Sequence, residues 1–266
     1  MKKNTYSGLI LFFTCIFLLT GCGMPPEQPL SEIIANTIQN NPKPIDRESF
    51  TNSMDEKLSG IMNGEESTLH MNMKARIEID HTKDLVHLKG EGTFMGRTLP
   101  IENYMINNQY YIKTGRETWE KERTPSLSMD ESPFSKYIPS LASLNEADLE
   151  KVQLNRTSRH YIMTIPLEVL LDSHLKPQYD TASITQFFES QSDMQVYRDE
   201  ERIKDFNLKI YIDHKTYQVN QIVRTIQVTI PTDHKHLLYE RIDKADIKEP
   251  SSNDLEIPQE LDSSTF

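Results

Sequence analysis

The sequence predicts an α+β fold: long antiparallel strands with helices packed on one side. Three observations predict it. From Leu69 to Asp80, twelve residues alternate apolar and polar without a break, the pattern of a strand with one buried and one wet face. Leu208, Ile210 and Ile212, then Ile222, Ile226, Val228 and Ile230, repeat that alternation late in the chain. Near the start and through the middle third, apolar residues instead recur at helical spacing.

The elements follow in order. Leu30, Ile33, Ile34 and Ile38 predict a helix over 30–39, ended by the Asn-Asn-Pro-Lys-Pro run at 40–44. Phe50 to Met62 alternates only loosely, but Asn63-Gly64 behind it is a hairpin signal, so it reads as a strand. Leu69, Met71, Met73, Ala75, Ile77 and Ile79 give the long strand its inner face. The chain turns at 81–84, and Val86, Leu88, Gly90, Gly92 and Phe94 line the inner face of the next strand. Its two glycines suggest bending or close backbone approach. Met95-Gly96-Arg97 turns again; residues 101–106 and 109–113 pair through Asn107-Asn108, and 119–122 makes a short further strand. The Pro- and Ser-rich run 124–133 reads as loop, 134–144 and 146–151 as partly helical, and 160–165 as a strand. Pro166 suits the first turn of a helix over 167–175. Residues 181–190 place Ile184, Phe187 and Phe188 on one helical face. Strands return at 208–212, 217–230 and 236–246. The tail, residues 248–266, is polar and acidic and is expected to be disordered. Ile77–His81 and Ile210–His214 both read Ile-x-Ile-Asp-His at a turn. A weak duplication or convergent turn chemistry would produce that, since Asp bonds its own backbone.

The first residues carry a separate message. Lys2 and Lys3 precede an uncharged stretch from Leu9 to Leu19, about half the roughly 20 residues a bilayer span needs. Small residues follow at a cleavable position, the layout of a secretory signal over residues 1–21. The closing Leu19-Thr20-Gly21-Cys22 resembles the lipobox of bacterial lipoproteins. That resemblance implies cleavage before Cys22 and attachment of a diacylglycerol group to its sulfur. Residues 22–29 would then be a lipidated, proline-containing tether, and acyl chains of the palmitate class would hold the protein on the extracytoplasmic face of the cell membrane. One chain anchors only marginally, whereas two or more anchor stably.

Without residues 1–21, 245 residues remain of 266, enough for one large domain or two small ones. The removed segment holds two lysines and no acid, so the formal charge of −11 becomes −13. An acidic body argues against nucleic acid and against adhesion to anionic lipid. Cys15 leaves with the signal and Cys22 is used for lipid, which excludes disulfides and thiol chemistry.

Motifs for chemistry are few. Gly90, Gly92 and Gly96 superficially suggest a dinucleotide loop, but the third glycine is one place late and the run lies in a strand pattern. His234 and His236 would share a strand face without a ligand cluster around them, and read as exposed. His81 and His214 read as turn residues, His70 and His87 as solvated. Asn155-Arg156-Thr157 matches a glycosylation sequon that a bacterial lipoprotein would not normally use. No acid/base pair, metal site or cofactor motif is recognisable, so a non-enzymatic protein is expected.

The order of lipobox, helix, long strands, helical middle and more long strands resembles the lipoprotein carrier superfamily of LolA-like and LppX-like folds, including lipoproteins of Gram-positive bacteria. Tyr110-Tyr111-Ile112-Lys113 followed by Trp119-Glu120-Lys121 is the nearest local likeness. The resemblance implies, over residues 30–247, a curved antiparallel half-barrel with helices on its concave face and an apolar cavity between them. The expected function is binding of a lipid, acyl chain or lipidated partner there. The cavity candidates are Leu69, Met71, Met73, Ile77, Val86, Leu88, Phe94, Ile210 and Ile226. The alternative is a cell-envelope or spore assembly protein with no small-molecule ligand.

Overall fold

Long alternating segments can bury one face only by pairing side by side, and among the described residues they do so here within a sheet of eleven strands. The computed structural model describes residues 28–41, 46–62, 65–107, 109–115, 118–122, 133–172, 181–190, 194–233, 235–249 and 255–261. Helix α1 is Leu30–Asn40. Strands β1 (Arg47–Met62), β2 (Glu65–Asp80), β3 (Leu85–Phe94), β4 (Arg97–Ile106), β5 (Gln109–Thr114) and β6 (Glu120–Glu122) follow. Helices α2 (Pro133–Ser140) and α3 (Glu146–Lys151) lead to β7 (Gln153–Arg156) and β8 (His160–Pro166). Helices α4 (Leu167–Asp172) and α5 (Ala182–Ser190) precede β9 (Arg202–Asp213), β10 (Val219–Pro231) and β11 (His236–Lys248).

All eleven strands form one antiparallel sheet in the order β6-β5-β4-β3-β2-β1-β11-β10-β9-β8-β7. Two meanders, β1 to β6 and β7 to β11, are therefore joined along a single seam where the first strand pairs with the last, Ser49 opposite Lys248 through Ser59 opposite Leu238. The fold is mostly β. The expected half-barrel gives way to one sheet that is not strongly curled, with a few short helices. Its edges are the three-residue β6 and four-residue β7, at opposite ends of the order.

One sheet face carries the core. Ile33 and Ile34 of α1, Tyr137 and Ile138 of α2, and Val169 and Leu170 of α4 pack on β8 to β11 together with Leu58 and Leu69. A second cluster on the same face joins Phe50, Ala75, Ile77, Ile79, Val86, Leu88, Met105 and Ala245, all of them strand residues. α3 is fixed by a capping box in which Asn145 and Asp148 exchange side-chain and backbone bonds.

Several expectations change. β7 was not foreseen, because Gln153-Leu154-Asn155-Arg156 has a single apolar residue. Within the tail expected to be disordered, residues 255–261 pack on the opposite face: Leu255 and Leu261 meet Leu85, Tyr104, Ile106, Tyr111 and Trp119. Two leucines at the right spacing outweigh a polar average composition. His87 lies on that face but is largely covered, stacked on Tyr104 at 4.2 Å and bonded to Glu102 Oε1 at 3.0 Å. Cys22, the signal segment, the loop 124–132, His234 and the side chains of Ile184, Phe187 and Phe188 lie outside the described residues.

The two Asp-His turns share a mechanism. Asp80 Oδ1 accepts from the Thr82 and Lys83 amides and the Thr82 hydroxyl, while Asp213 Oδ1 accepts from the Lys215 and Thr216 amides and the Thr216 hydroxyl. Each carboxylate replaces the next strand's pairing for two backbone donors.

Candidate functional site

Register places every predicted cavity residue on the helix-bearing face, but not in one cluster. Leu69, Ile210 and Ile226 belong to the helix-covered core. Ile77, Val86 and Leu88 belong to the strand-only cluster. Met73 is buried opposite Met54, Met71 is half-buried opposite Glu56, and Phe94 at the end of β3 is 37% exposed.

Between the two clusters lies a feature that alternation alone did not announce. Glu56, Arg224, Arg241 and Asp243 occupy inward positions of β1, β10 and β11, at the seam. Glu56 faces Arg241 across the β1–β11 pair, and Asp243 faces Arg224 across β10–β11. The Tyr239 hydroxyl donates to Glu56 Oε1 at 2.9 Å, and Arg241 Nη1 donates to the same oxygen at 2.9 Å. Arg241 Nε reaches both Asp243 oxygens at 2.9 Å, and Arg224 Nε reaches Oδ2 at 2.9 Å. Two guanidiniums are thereby matched by two carboxylates with near-complete hydrogen bonding, the condition under which a buried charge set is tolerated.

The electrostatics follow from that geometry. Burial raises the Glu56 carboxyl, with Arg241 and the Tyr239 hydroxyl opposing only in part. Burial also favours the neutral form of Asp243, but Arg224 and Arg241 outweigh it and hold this carboxyl below the usual range. Burial and the neighbouring Glu56 raise the Tyr239 phenol, which stays a donor. Because both arginines are already engaged by carboxylates, the set is a closed charge lock rather than an empty anion site.

A second polar intrusion lies in the strand-only cluster. Asn103 sits on the inward side of β4, opposite Leu88 of β3 and Ile112 of β5, with Ile101 and Met105 two residues away on the same side. It is 5% exposed, and its Oδ1 has no hydrogen-bond partner among the described residues. Leaving such an acceptor unpaired costs about 1–3 kcal/mol. The sequence did contain a signal for both features: Asn103 and Arg224 fall in phase with apolar neighbours, where an uninterrupted strand would place an aliphatic residue.

The opposite face carries a shallow groove of about 630 Å³ lined by Thr51, Lys74, Arg76, Glu91, Thr98 and Pro100. It opens over Ala75 and Gly90, which contribute little or no side chain. Most of its lining residues are polar or charged, although much of the surface they present is aliphatic, and it lies on the face away from the expected apolar cleft. Among the described residues no group of three or more His, Cys, Asp or Glu is placed to hold a metal ion, and no helix is long and apolar enough to cross a membrane.

No family model and no curated protein matches the chain. Solved structures give distant likenesses. A DUF1329 family protein from Desulfovibrio piger is 8% identical, covering 89% of this chain and 99% of its own at a TM-score of 0.25. The ywiB protein from Bacillus subtilis is 7% identical, covering 77% and 95% at a TM-score of 0.23. A LolA superfamily protein from Nitrosomonas europaea is 6% identical, covering 86% and 96% at a TM-score of 0.24.

Proposed function

We propose that this protein is a non-enzymatic, lipid-anchored extracytoplasmic protein that holds a hydrophobic chain, or a lipidated partner, against the helix-bearing face of its sheet. The observation that carries the reading is the strand-only apolar cluster around Ile77, Val86 and Leu88, which among the described residues is packed by no helix. The cluster itself is buried, and half-buried Met71 and exposed Phe94 lie further along the same face. Methionine is polarisable and adaptable, which suits a surface that must fit varied apolar partners. The lipobox-like Leu19-Thr20-Gly21-Cys22 supports the anchoring half of the proposal. The acidic body supports a role held away from anionic lipid rather than one spread on it.

Native mass spectrometry of the full-length protein, expressed in a bacterial host and purified in mild detergent, tests both halves. The expected covalent mass lacks residues 1–21 and carries a diacylglyceryl group, and C22A abolishes that modification. The expected noncovalent adduct is released by organic extraction. An intact signal segment would remove the anchor. An adduct-free mass that takes up no added oleate would remove the ligand, and an assembly role in the cell envelope would replace it.

A further inference from the structure

The polar residue inside the strand-only cluster restricts what an occupant of that face can be. Asn103 projects from the inward side of β4 into a setting of Leu88, Ile112, Ile101 and Met105. An aliphatic residue there would complete the cluster. Instead the fold buries an amide whose Oδ1 finds no donor among the described residues. Ser49, the other buried hydroxyl or amide without a partner among the described residues, sits on the opposite face, where Glu78, His87 and Tyr104 are its row neighbours. Glu48, on the same face of β1, is a carboxylate already engaged by His81, which leaves Asn103 as the uncharged orphan acceptor on the face that the proposed ligand would use.

A buried acceptor calls for a donor, and the apolar surroundings exclude a charged one, whose desolvation nothing nearby would offset. The arginine–carboxylate set at the seam is internally balanced and has no counter-ion to spare. We infer that Asn103 is a headgroup anchor: it accepts a hydrogen bond from a neutral donor, a hydroxyl or amide N–H, next to an acyl chain lying over Leu88 and Ile77. The ligand class is thus a neutral acylglycerol or N-acyl amide rather than a free fatty acid or an anionic phospholipid. This rests on the ligand reading above.

Four probes with the same eighteen-carbon chain separate the possibilities: 1-monooleoylglycerol, oleamide, methyl oleate and oleate, each titrated into the full-length protein in detergent and counted by native mass spectrometry. Monooleoylglycerol or oleamide is expected to bind roughly tenfold more tightly than methyl oleate, which lacks a donor. Which of the two wins identifies the hydroxyl or the amide source. N103L is expected to erase that difference while leaving methyl oleate binding in place. Equal binding of all neutral probes by the wild-type protein, or preference for oleate, overturns the anchor while the ligand reading stands. Binding of none overturns both. The wild-type comparison decides the point even if N103L does not fold.

Discussion

At the scale of single residues, Glu56 and Asp243 make opposite demands on pH. The Glu56 carboxyl is raised by burial above its ordinary 4.5, so on acidification the folded chain takes up this proton before the unfolded chain does. Its stabilising contribution is full below 4.5 and is lost as pH rises through the folded value. The Asp243 carboxyl is pushed up by burial but held, on balance, below 3.8 by Arg224 and Arg241, so its contribution is full above 3.8 and is lost as pH falls through the folded value. E56Q is therefore expected to flatten the acid side of the stability profile above 4.5 and to leave the loss at lower pH in place. Urea midpoints measured at half-unit intervals from pH 7 to 3 check this. A wild-type slope in E56Q would mean that Glu56 titrates as a surface carboxylate. None of this was legible from composition, because a charged residue in an inward phase looks the same in sequence whether its strand neighbours satisfy it or not. Partners 183 residues apart supply the answer here.

At the scale of elements, most strands were legible because the period of two survives wherever one face is buried. The long β2 and the pairs around it follow their alternation, and the turn signals at 81–84 and 95–97 fall where the strands reverse. Met95 and Gly96 both take positive φ, 50° and 74°, as a tight hairpin requires. What failed was what alternation cannot carry: a four-residue strand with one apolar residue, and the degree to which a sheet curls. The glycines of β3 were read as points of close approach, and Gly90 is one. A Cβ there would sit 2.1 Å from the Lys74 carbonyl oxygen and 2.5 Å from the Ala75 Cα of β2. G90A must push two paired strands apart, and is expected to cost about 3 kcal/mol. G96A has open space around it and meets only the strain of positive φ, expected to cost about 1 kcal/mol. Denaturant midpoints of the two variants give the comparison, and equal losses would refute the close approach at Gly90.

At the scale of the whole molecule, both sheet faces are dressed by segments distant in sequence. The opposite face owes part of its cover to residues 255–261, whose Leu261 is buried against Leu85 and Tyr104 and whose Glu256 carbonyl accepts from the Tyr104 hydroxyl at 3.4 Å. Burial pushes the Tyr104 phenol up to about 12. Ending the chain after residue 249 is expected to uncover an apolar patch and, since Trp119 is the sole tryptophan, to move its emission to longer wavelength. An unmoved spectrum would show that the tail does not shield it. The seam between β1 and β11 has a further consequence, in time rather than in space. Every other pairing in the sheet joins strands consecutive in the chain, so each meander can zip locally as soon as its own hairpins exist. The joining pair must wait for the final strand and close a loop of nearly the whole domain. Folding should therefore show two fast phases and one slow docking phase, and a chain emerging amino-terminus first would remain two half-sheets until β11 arrives. Opposite charges written across that junction then select the one alignment in which Glu56 meets Arg241.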